Sequence, residues 1–293
     1  DDKNQDPEGR QKKDGNAYRS AVAAGQLGHA ASPCAGLPSS TRAASGQAGT
    51  AGLPALEIRS QTGAGNHLTA VSAAGDVNAD GLADIAVASM NASGQSGRVY
   101  IVFGRTGMTA VQLDDIASGI GGYVIDGSAG DLAGASIAAA GDANQDGFDD
   151  IVITSPGLNG GTTHIVYGKG DGAPLDLTNI AGGSAGFQIV GDAPTGAIVR
   201  SVASVGDANG DGIIDYVVGT PGLNATGAQA GGAFLVFGRA NPADIRLSSI
   251  AAGNGGGFVI RGESAGDVAG AAVSAAGDVN GDGLADMFVG TAG

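Results

Sequence analysis

Tryptophan is absent from the 293 residues, and cysteine occurs once, at Cys34. A single cysteine excludes an intrachain disulfide and any site built on several cysteines. Basic residues are also scarce: 14 Lys and Arg stand against 29 Asp and Glu, a formal net charge of −15. This balance argues against nucleic acid and against an anionic membrane surface as partners. No apolar run reaches about 18 residues, so we expect no membrane insertion.

Glycine, by contrast, is abundant, with 56 residues and no strict Gly-X-Y period that would indicate collagen. The hydrophobic fraction of 42% is rich in Ala and Val, which predicts a thin core between closely spaced strands. Residues 1–54 show no apolar periodicity and consist largely of small and polar residues. We therefore predict a disordered, low-complexity tail or linker at 1–54 and a folded region at 55–293.

A nine-residue segment recurs four times in the folded region, and the first aspartates of successive copies are 66, 65 and 71 residues apart. Each copy has Asp at position 1, Asn at 3, Asp at 5, Gly at 6 and Asp at 9. The copies are Asp76–Asp84, Asp142–Asp150, Asp207–Asp215 and Asp278–Asp286.

Short apolar segments flank each copy at fixed places, separated by Gly, Pro, Asn and Ser, which is typical of strands. The sequence predicts one strand before each copy, a second directly after it, a third that ends in an aromatic residue and Gly, and a fourth before the next copy. Single helical turns are predicted at Leu113–Ala117 and Leu175–Ile180. Four short strands per repeat cannot bury their faces alone, so we predict an all-β fold, a β-propeller of four-stranded blades.

The oxygen side chains of the repeated segment are spaced to face a common centre in a tightly turning loop, and the residue at position 7 adds a backbone carbonyl. Hard oxygen donors with three carboxylates favour Ca²⁺ over zinc or copper, and Mg²⁺ fits less well. We therefore predict four calcium sites in loops between first and second strands. The predicted ligands are Asp76, Asn78, Asp80, Leu82 and Asp84; Asp142, Asn144, Asp146, Phe148 and Asp150; Asp207, Asn209, Asp211, Ile213 and Asp215; and Asp278, Asn280, Asp282, Leu284 and Asp286.

Simple hairpin turns built on Asp-Gly and Asn-Gly are the alternative to metal loops. Four copies with every ligand position intact favour calcium, as do the twelve acidic residues at those positions. An EF-hand is excluded because position 12 is never acidic. The residues at that position are Val87, Ile153, Val218 and Val289.

The loop, the strands around it and the repeat length resemble FG-GAP repeats, the units of the integrin α-subunit β-propeller. Over 55–293 the resemblance implies a partial propeller, with about three and a half blades of a seven-bladed parent. The positions flanking the loop are degenerate, with Ala133-Gly134 and Ala269-Gly270 in place of Phe-Gly, which is more similar to bacterial FG-GAP proteins than to animal integrins. The strand expected at Ala55–Ser60 resembles the fourth strand of a preceding unit.

This resemblance implies a non-enzymatic module of a secreted or cell-surface protein that mediates adhesion or binds a protein or glycan, with calcium in a structural role. An unknown partner is then expected on the face opposite the calcium loops. That face carries 89–98, 155–161, 220–231, 127–133 and 191–197.

Two other functions stay open. The chain could be the propeller portion of a larger extracellular hydrolase, in an association like that of phospholipase D, or a purely structural part of a surface protein. The segment Gly262–Gly266 matches Gly-x-Ser-x-Gly, but a nucleophile elbow requires a following helix, and a strand is predicted there. We expect no catalytic role for it, nor for His29, His67 and His164.

Overall fold

The computed structural model describes residues 57–59, 67–107, 109–157, 160–180, 183–192, 198–224, 228–239 and 243–293, and the backbone of 21–23. Its architecture is all-β, as predicted: three antiparallel four-stranded blades are followed by a two-stranded fourth unit. Blade 1 contains β3 (Ala70–Gly75), β4 (Asp84–Ser89), β5 (Arg98–Val102) and β7 (Gly122–Asp126); blade 2 contains β8 (Ser136–Gly141), β9 (Asp150–Ser155), β10 (Thr162–Val166) and β12 (Gly186–Val190); blade 3 contains β13 (Ser201–Gly206), β14 (Asp215–Gly219), β15 (Gly232–Val236) and β17 (Gly257–Arg261); the fourth unit contains β18 (Ala272–Gly277) and β19 (Asp286–Gly290).

The first strands of successive blades lie side by side, which places them innermost and confirms the propeller arrangement. Apart from Ile137 they are built from Ala, Ser, Val and Gly, which are small enough for close approach near the axis. Larger residues fill the spaces between blades. One core cluster joins Ile101 and Ile125 of blade 1 to Ile151 of blade 2, and another joins Ile165 of blade 2 to Phe234 of blade 3.

Two-residue strands connect neighbouring blades, and the sequence pattern did not predict them as strands. β11 (Leu175–Asp176) pairs in parallel with β7, and β16 (Ile245–Arg246) pairs in parallel with β12. In the same way β6 (Val111–Gln112) pairs with β2 (Ile58–Arg59). β2 therefore occupies the place of a fourth strand, as expected for Ala55–Ser60, of which 57–59 lie within the described residues.

Short helical turns precede the fourth strands. α2 (Leu113–Ala117) has the predicted bounds, and α3 (Leu247–Ala251) is its counterpart in blade 3. The helical turn predicted at Leu175–Ile180 is divided into β11 and a 3-10 turn at Leu177–Asn179, because the Asp176 side chain accepts the N–H of Thr178 and ends the strand. A further turn, α1 (Ala92–Gln95), contains left-handed Ser93 and Gly94.

One stretch of the predicted tail is paired. β1 (Ala21–Ala23) lies parallel to β19, with Ala21 opposite Phe288. The rest of 1–54, including His29 and Cys34, lies outside the described residues. The disordered tail at 1–54 stays a prediction.

Candidate metal centre

The four repeated loops connect the first and second strands of their blades, as predicted, and lie on one face of the propeller. Each loop begins directly after the glycine that ends the first strand, and its position 9 opens the second strand. A bulge precedes that glycine, which pairs with position 9, for example Gly141 with Asp150. The hairpin thus brings both ends of the loop together.

Side-chain oxygens of the loop accept hydrogen bonds from its own backbone. In the second loop, the Oδ1 and Oδ2 atoms of Asp142 accept from the N–H groups of Asp146 (3.0 Å) and Gly147 (2.9 Å). Asp146 Oδ1 accepts from the N–H of Phe148 (2.9 Å), and Asn144 Nδ2 donates to Asp146 Oδ2 (2.8 Å). The other three loops repeat this pattern. The predicted ligands at positions 1, 3 and 5 are therefore gathered in one turn.

The chain turns sharply at two positions of each loop. Position 6 is a left-handed glycine in every copy, with φ between 82° and 93°. Position 4 is left-handed as well: Ala79 has φ 56° and Gln145 φ 62°, whereas the third and fourth copies have glycine there. The second turn was not predicted, because Ala and Gln carry no signal for this conformation.

Position 9 is buried in the three complete blades. Asp84, Asp150 and Asp215 are at most 1% exposed. One oxygen of each accepts the N–H of position 2, as Asp150 Oδ2 does from Ala143 (2.9 Å). The other accepts the N–H of the glycine after the third strand: Gly104 for Asp84, Gly168 for Asp150 and Gly238 for Asp215, at 2.6, 2.9 and 2.9 Å. In each blade the position 9 carboxylate is thus held by a backbone N–H that follows the third strand and is distant in sequence.

These three glycines are part of the site that sequence reasoning missed. A Cβ on Gly104 would lie 2.6 Å from Leu82 Cβ and 2.7 Å from the Ala83 carbonyl oxygen. Gly168 and Gly238 have the same close contact with their loops. The aromatic-Gly pair that closes each third strand was the available signal, and its purpose is this approach of the backbone to the loop.

Burial raises the pKa of the position 9 carboxyls. The pKa of Asp150 rises to about 7, because desolvation and the nearby Asp146 and Asp142 carboxylates outweigh two backbone N–H groups that lower it. The same causes raise the pKa of Asp215 to about 6 and raise that of Asp84. A cation at this place would favour the ionised form of all three residues.

No basic side chain supplies that positive charge within the described part of the chain. The ion pairs there are Arg59–Glu57, Arg98–Asp126, Lys169–Asp171 and Arg246–Asp192, and none includes a loop carboxylate. The donor set therefore has the chemistry of a cation site: three carboxylates and an amide oxygen per loop, without a protein counter-ion.

The side-chain positions are those of a hydrogen-bonded turn. Among the described residues, no three acidic, histidine or cysteine side chains are grouped closely enough to hold a metal ion as they stand. The carboxylates instead face backbone N–H groups of the loop. Binding would require modest turns of these side chains, and each carboxylate oxygen that accepts an N–H keeps a second lone pair available for a cation.

Loops on the opposite face are also paired across each blade. Leu132 N–H donates to the Gln95 carbonyl (3.1 Å), and in blade 3 Val268 N–H donates to that of Gln229 (3.1 Å). All four of these residues have left-handed φ. Two of the five predicted partner segments, 89–98 and 127–133, are fully described, whereas the other three include residues outside the description.

The segment Gly262–Gly266 lies between β17 and β18, with no helix after it. Ser264 N–H donates to Asp267 Oδ2 (2.7 Å), as Ser128 N–H donates to Asp131 Oδ2 (3.1 Å) in blade 1. The segment is thus a turn of the repeat and lacks the context of a nucleophile elbow. His67 is exposed, whereas His164 is buried within β10.

Comparison with known proteins finds the predicted repeat in two segments of the chain. The FG-GAP repeat model matches residues 68–102 and 133–173, which contain the first two loops and the strands beside them. The two matched segments are FG-GAP repeats, as the sequence predicted, and the chain is similar to integrin α subunits over much of its β-propeller.

Several curated proteins are similar to the chain. Integrin alpha pat-2 of Caenorhabditis briggsae is 28% identical over 75% of this chain and 17% of its own length. Integrin alpha-E of Mus musculus is 30% identical over 53% of this chain and 14% of its own. Phosphatidylinositol-glycan-specific phospholipase D of Bos taurus is 35% identical over 33% of this chain and 12% of its own. The chain therefore spans less than a fifth of the length of these relatives. No helix in the described part is long and apolar enough to cross a membrane.

Proposed function

We propose that the chain is a calcium-stabilised propeller module of a secreted or cell-surface protein. The observation that carries this proposal is the set of buried position 9 carboxylates, Asp84, Asp150 and Asp215, each beside two further acidic residues of its loop and without a basic partner among the described residues. Calcium would offset their repulsion and tie the loop to the end of the third strand. Its role is structural.

The positions that would hold the ion are the side chains at positions 1, 3, 5 and 9 and the carbonyl at position 7. Three carboxylates per loop suit the affinity of extracellular modules, about 10⁻⁴–10⁻³ M. Calorimetric titration of the EDTA-treated chain with Ca²⁺ tests this. We expect saturable binding at several sites that Mg²⁺ does not reproduce; a chain that binds Ca²⁺ no better than Mg²⁺ would overturn the proposal.

The face opposite the loops is proposed to bind a protein or glycan partner. The support is the similarity to integrin α chains together with the paired loops of that face, where Gln95 and Gln229 are exposed in strained, left-handed conformations. Binding of the chain to immobilised extracellular-matrix proteins and to a glycan array, with and without calcium, tests this. If Gln95→Ala no longer binds the partner that the unmutated chain binds, while Glu57→Ala still does, the partner binds this face. Equal binding by both variants would contradict it.

A second function is favoured by the similarity to phosphatidylinositol-glycan-specific phospholipase D. In that case the module would accompany a hydrolase domain in the parent protein. The complete reading frame of the parent decides between the two: a hydrolase domain would favour this second function, and further FG-GAP blades alone would favour adhesion.

A further inference from the structure

We propose that Asp149 is a positioning residue through which the second calcium loop holds the first, so that the two sites bind calcium as a coupled pair. This inference rests on the proposed calcium function. Asp149 stands at position 8 of the second loop, which is not a ligand position in the repeat, and its role is visible only between two blades.

Both polar groups of Asp149 meet the same residue of the neighbouring blade. Its Oδ2 atom accepts the backbone N–H of Asp76 (2.8 Å), and its own N–H donates to the Asp76 carbonyl oxygen (3.0 Å). Asp76 is the first predicted ligand of the first loop. Two hydrogen bonds therefore fix the backbone from which that carboxylate projects.

Glycine at position 75 makes room for this contact. Gly75 is left-handed, with φ 80°, and a Cβ placed on it would overlap the Asp149 carboxylate. Gly168 reaches the same junction from the third strand of blade 2, since a Cβ there would lie 2.8 Å from the Val77 carbonyl oxygen. The first loop thus packs against two parts of blade 2: Asp149, which belongs to the second loop, and Gly168, which contacts the second loop.

The other loop pairs have the same packing without the carboxylate. Position 8 is Ile214 in the third loop and Ala285 in the fourth, and each lies against the glycine before the preceding loop. Ala285 N–H still donates to the Asp207 carbonyl (2.8 Å), so the main-chain bond does not require an acid. The Asp149 carboxylate therefore adds a side-chain hydrogen bond to a main-chain contact that the fold makes without it.

Coupling follows from the position of Asp149 beside Asp150. Calcium in the second loop would hold the Asp150 carboxylate, and with it the adjacent peptide that carries Asp149. The first loop would then bind calcium with its Asp76 already fixed, and by linkage calcium in the first loop would favour binding in the second to the same degree. Loops three and four lack this side-chain bond and should bind independently of it.

The test is a double-mutant cycle read by calcium titration of the whole chain. We expect Asp149→Ala to weaken one or two of the calcium sites about five-fold or more, the lower end of ordinary coupling. Asp149→Asn retains an acceptor oxygen and should restore most of the affinity. In an Asp80→Ala background, which disables the first loop, we expect the Asp149→Ala effect to be largely lost.

Melting in EDTA separates this role from simple destabilisation, because Asp149→Asn and the parent chain should melt at similar temperatures. The inference is overturned if Asp149→Ala leaves all calcium affinities unchanged, or if its effect is equally large in the Asp80→Ala background. If the unmutated chain binds no calcium, the proposed function itself is overturned, which is a separate result.

Discussion

Glycine acts in two different ways at the loops, and single substitutions separate them. Gly147 is left-handed, with φ 93°, and has open space where a Cβ would go. Gly168 is required because a Cβ there would overlap Asp149 backbone and press on Phe148. The first is a conformational requirement and the second is a steric one.

We expect Gly147→Ala to lower the free energy of unfolding by about 1 kcal/mol, the cost of a left-handed alanine. Gly168→Ala should cost about 3 kcal/mol, because the backbone must shift to relieve the overlap. Urea unfolding in EDTA measures both without calcium effects. Equal losses would mean that the close approach at Gly168 is not as the structure has it.

Asp146 is the best residue for testing the ligand role, because it is exposed and its loss leaves the core intact. We expect Asp146→Ala to remove most of the calcium binding of the second loop and to reduce the rise in melting temperature on adding calcium. Glu263→Ala is the matched control, since it removes the same charge from the opposite face. Equal destabilisation of Asp146→Ala with and without calcium would contradict a ligand role.

At the scale of elements, the strands were predictable and their lateral partners were not. A first strand precedes each copy as predicted, and the second strands, predicted directly after each copy, start one residue early, at the Asp of position 9. The two-residue strands β6, β11 and β16 were missed because they are too short to show an alternating pattern. Their pairing partners also lie in another blade, so the local sequence pattern does not indicate which strand they pair with.

The site divides in the same way. Side chains at positions 1, 3, 5 and 9 were identified from residue type and spacing, and the structure gathers those of each loop within one hairpin. The N–H donors Gly104, Gly168 and Gly238 and the link from Asp149 to Asp76 are contacts between distant parts of the chain. A backbone N–H group is the same in almost every residue type, so the sequence alone does not show which N–H groups contact the loop.

Blade 2 contains two buried threonines where blade 1 has apolar residues. Thr163 pairs with Thr154, while the equivalent pair in blade 1 is Val99 and Ala88. Both threonine hydroxyls are buried without a partner. We expect Thr163→Val to raise the free energy of unfolding by about 1 kcal/mol, because it removes an unsatisfied hydroxyl at nearly constant volume. Thr163→Ser keeps the hydroxyl and should destabilise; urea unfolding compares the three chains, and a destabilised Thr163→Val would contradict the account.

His164 makes blade 2 sensitive to acid. Burial lowers its pKa to about 4, and its Nδ1 atom has no partner. The unfolded chain therefore binds more protons than the folded one between about pH 6.5 and 4, so this residue's contribution to stability is lost as the pH falls through that window.

We expect His164→Phe, which copies Phe234 at the equivalent position of blade 3, to remove this component. The difference in the free energy of unfolding between His164→Phe and the unmutated chain should grow as the pH is lowered from 7 to 5, as measured by urea unfolding in calcium-free buffer. A difference that is constant with pH would mean that the imidazole is not buried in the neutral form.

At the scale of the whole molecule, negative charge is concentrated on one face, and bound calcium would partly neutralise it. Twelve of its 29 acidic residues stand at the carboxylate positions of four loops on one face. Four bound Ca²⁺ ions would change the formal charge from −15 to −7. Repulsion among the loops is therefore expected to weaken the calcium-free propeller as a unit, and the contacts between successive loops transmit that effect from blade to blade.

Thermal melting of the chain in EDTA, in millimolar Ca²⁺ and in millimolar Mg²⁺ tests the central claim most directly. A ligand that binds only the folded state raises the melting temperature by mass action, and several sites add their effects. The account predicts a large rise with Ca²⁺ and a small one with Mg²⁺. A folded chain, shown by its far-UV spectrum, that melts at one temperature in all three buffers would contradict it and leave the loops as hydrogen-bonded turns.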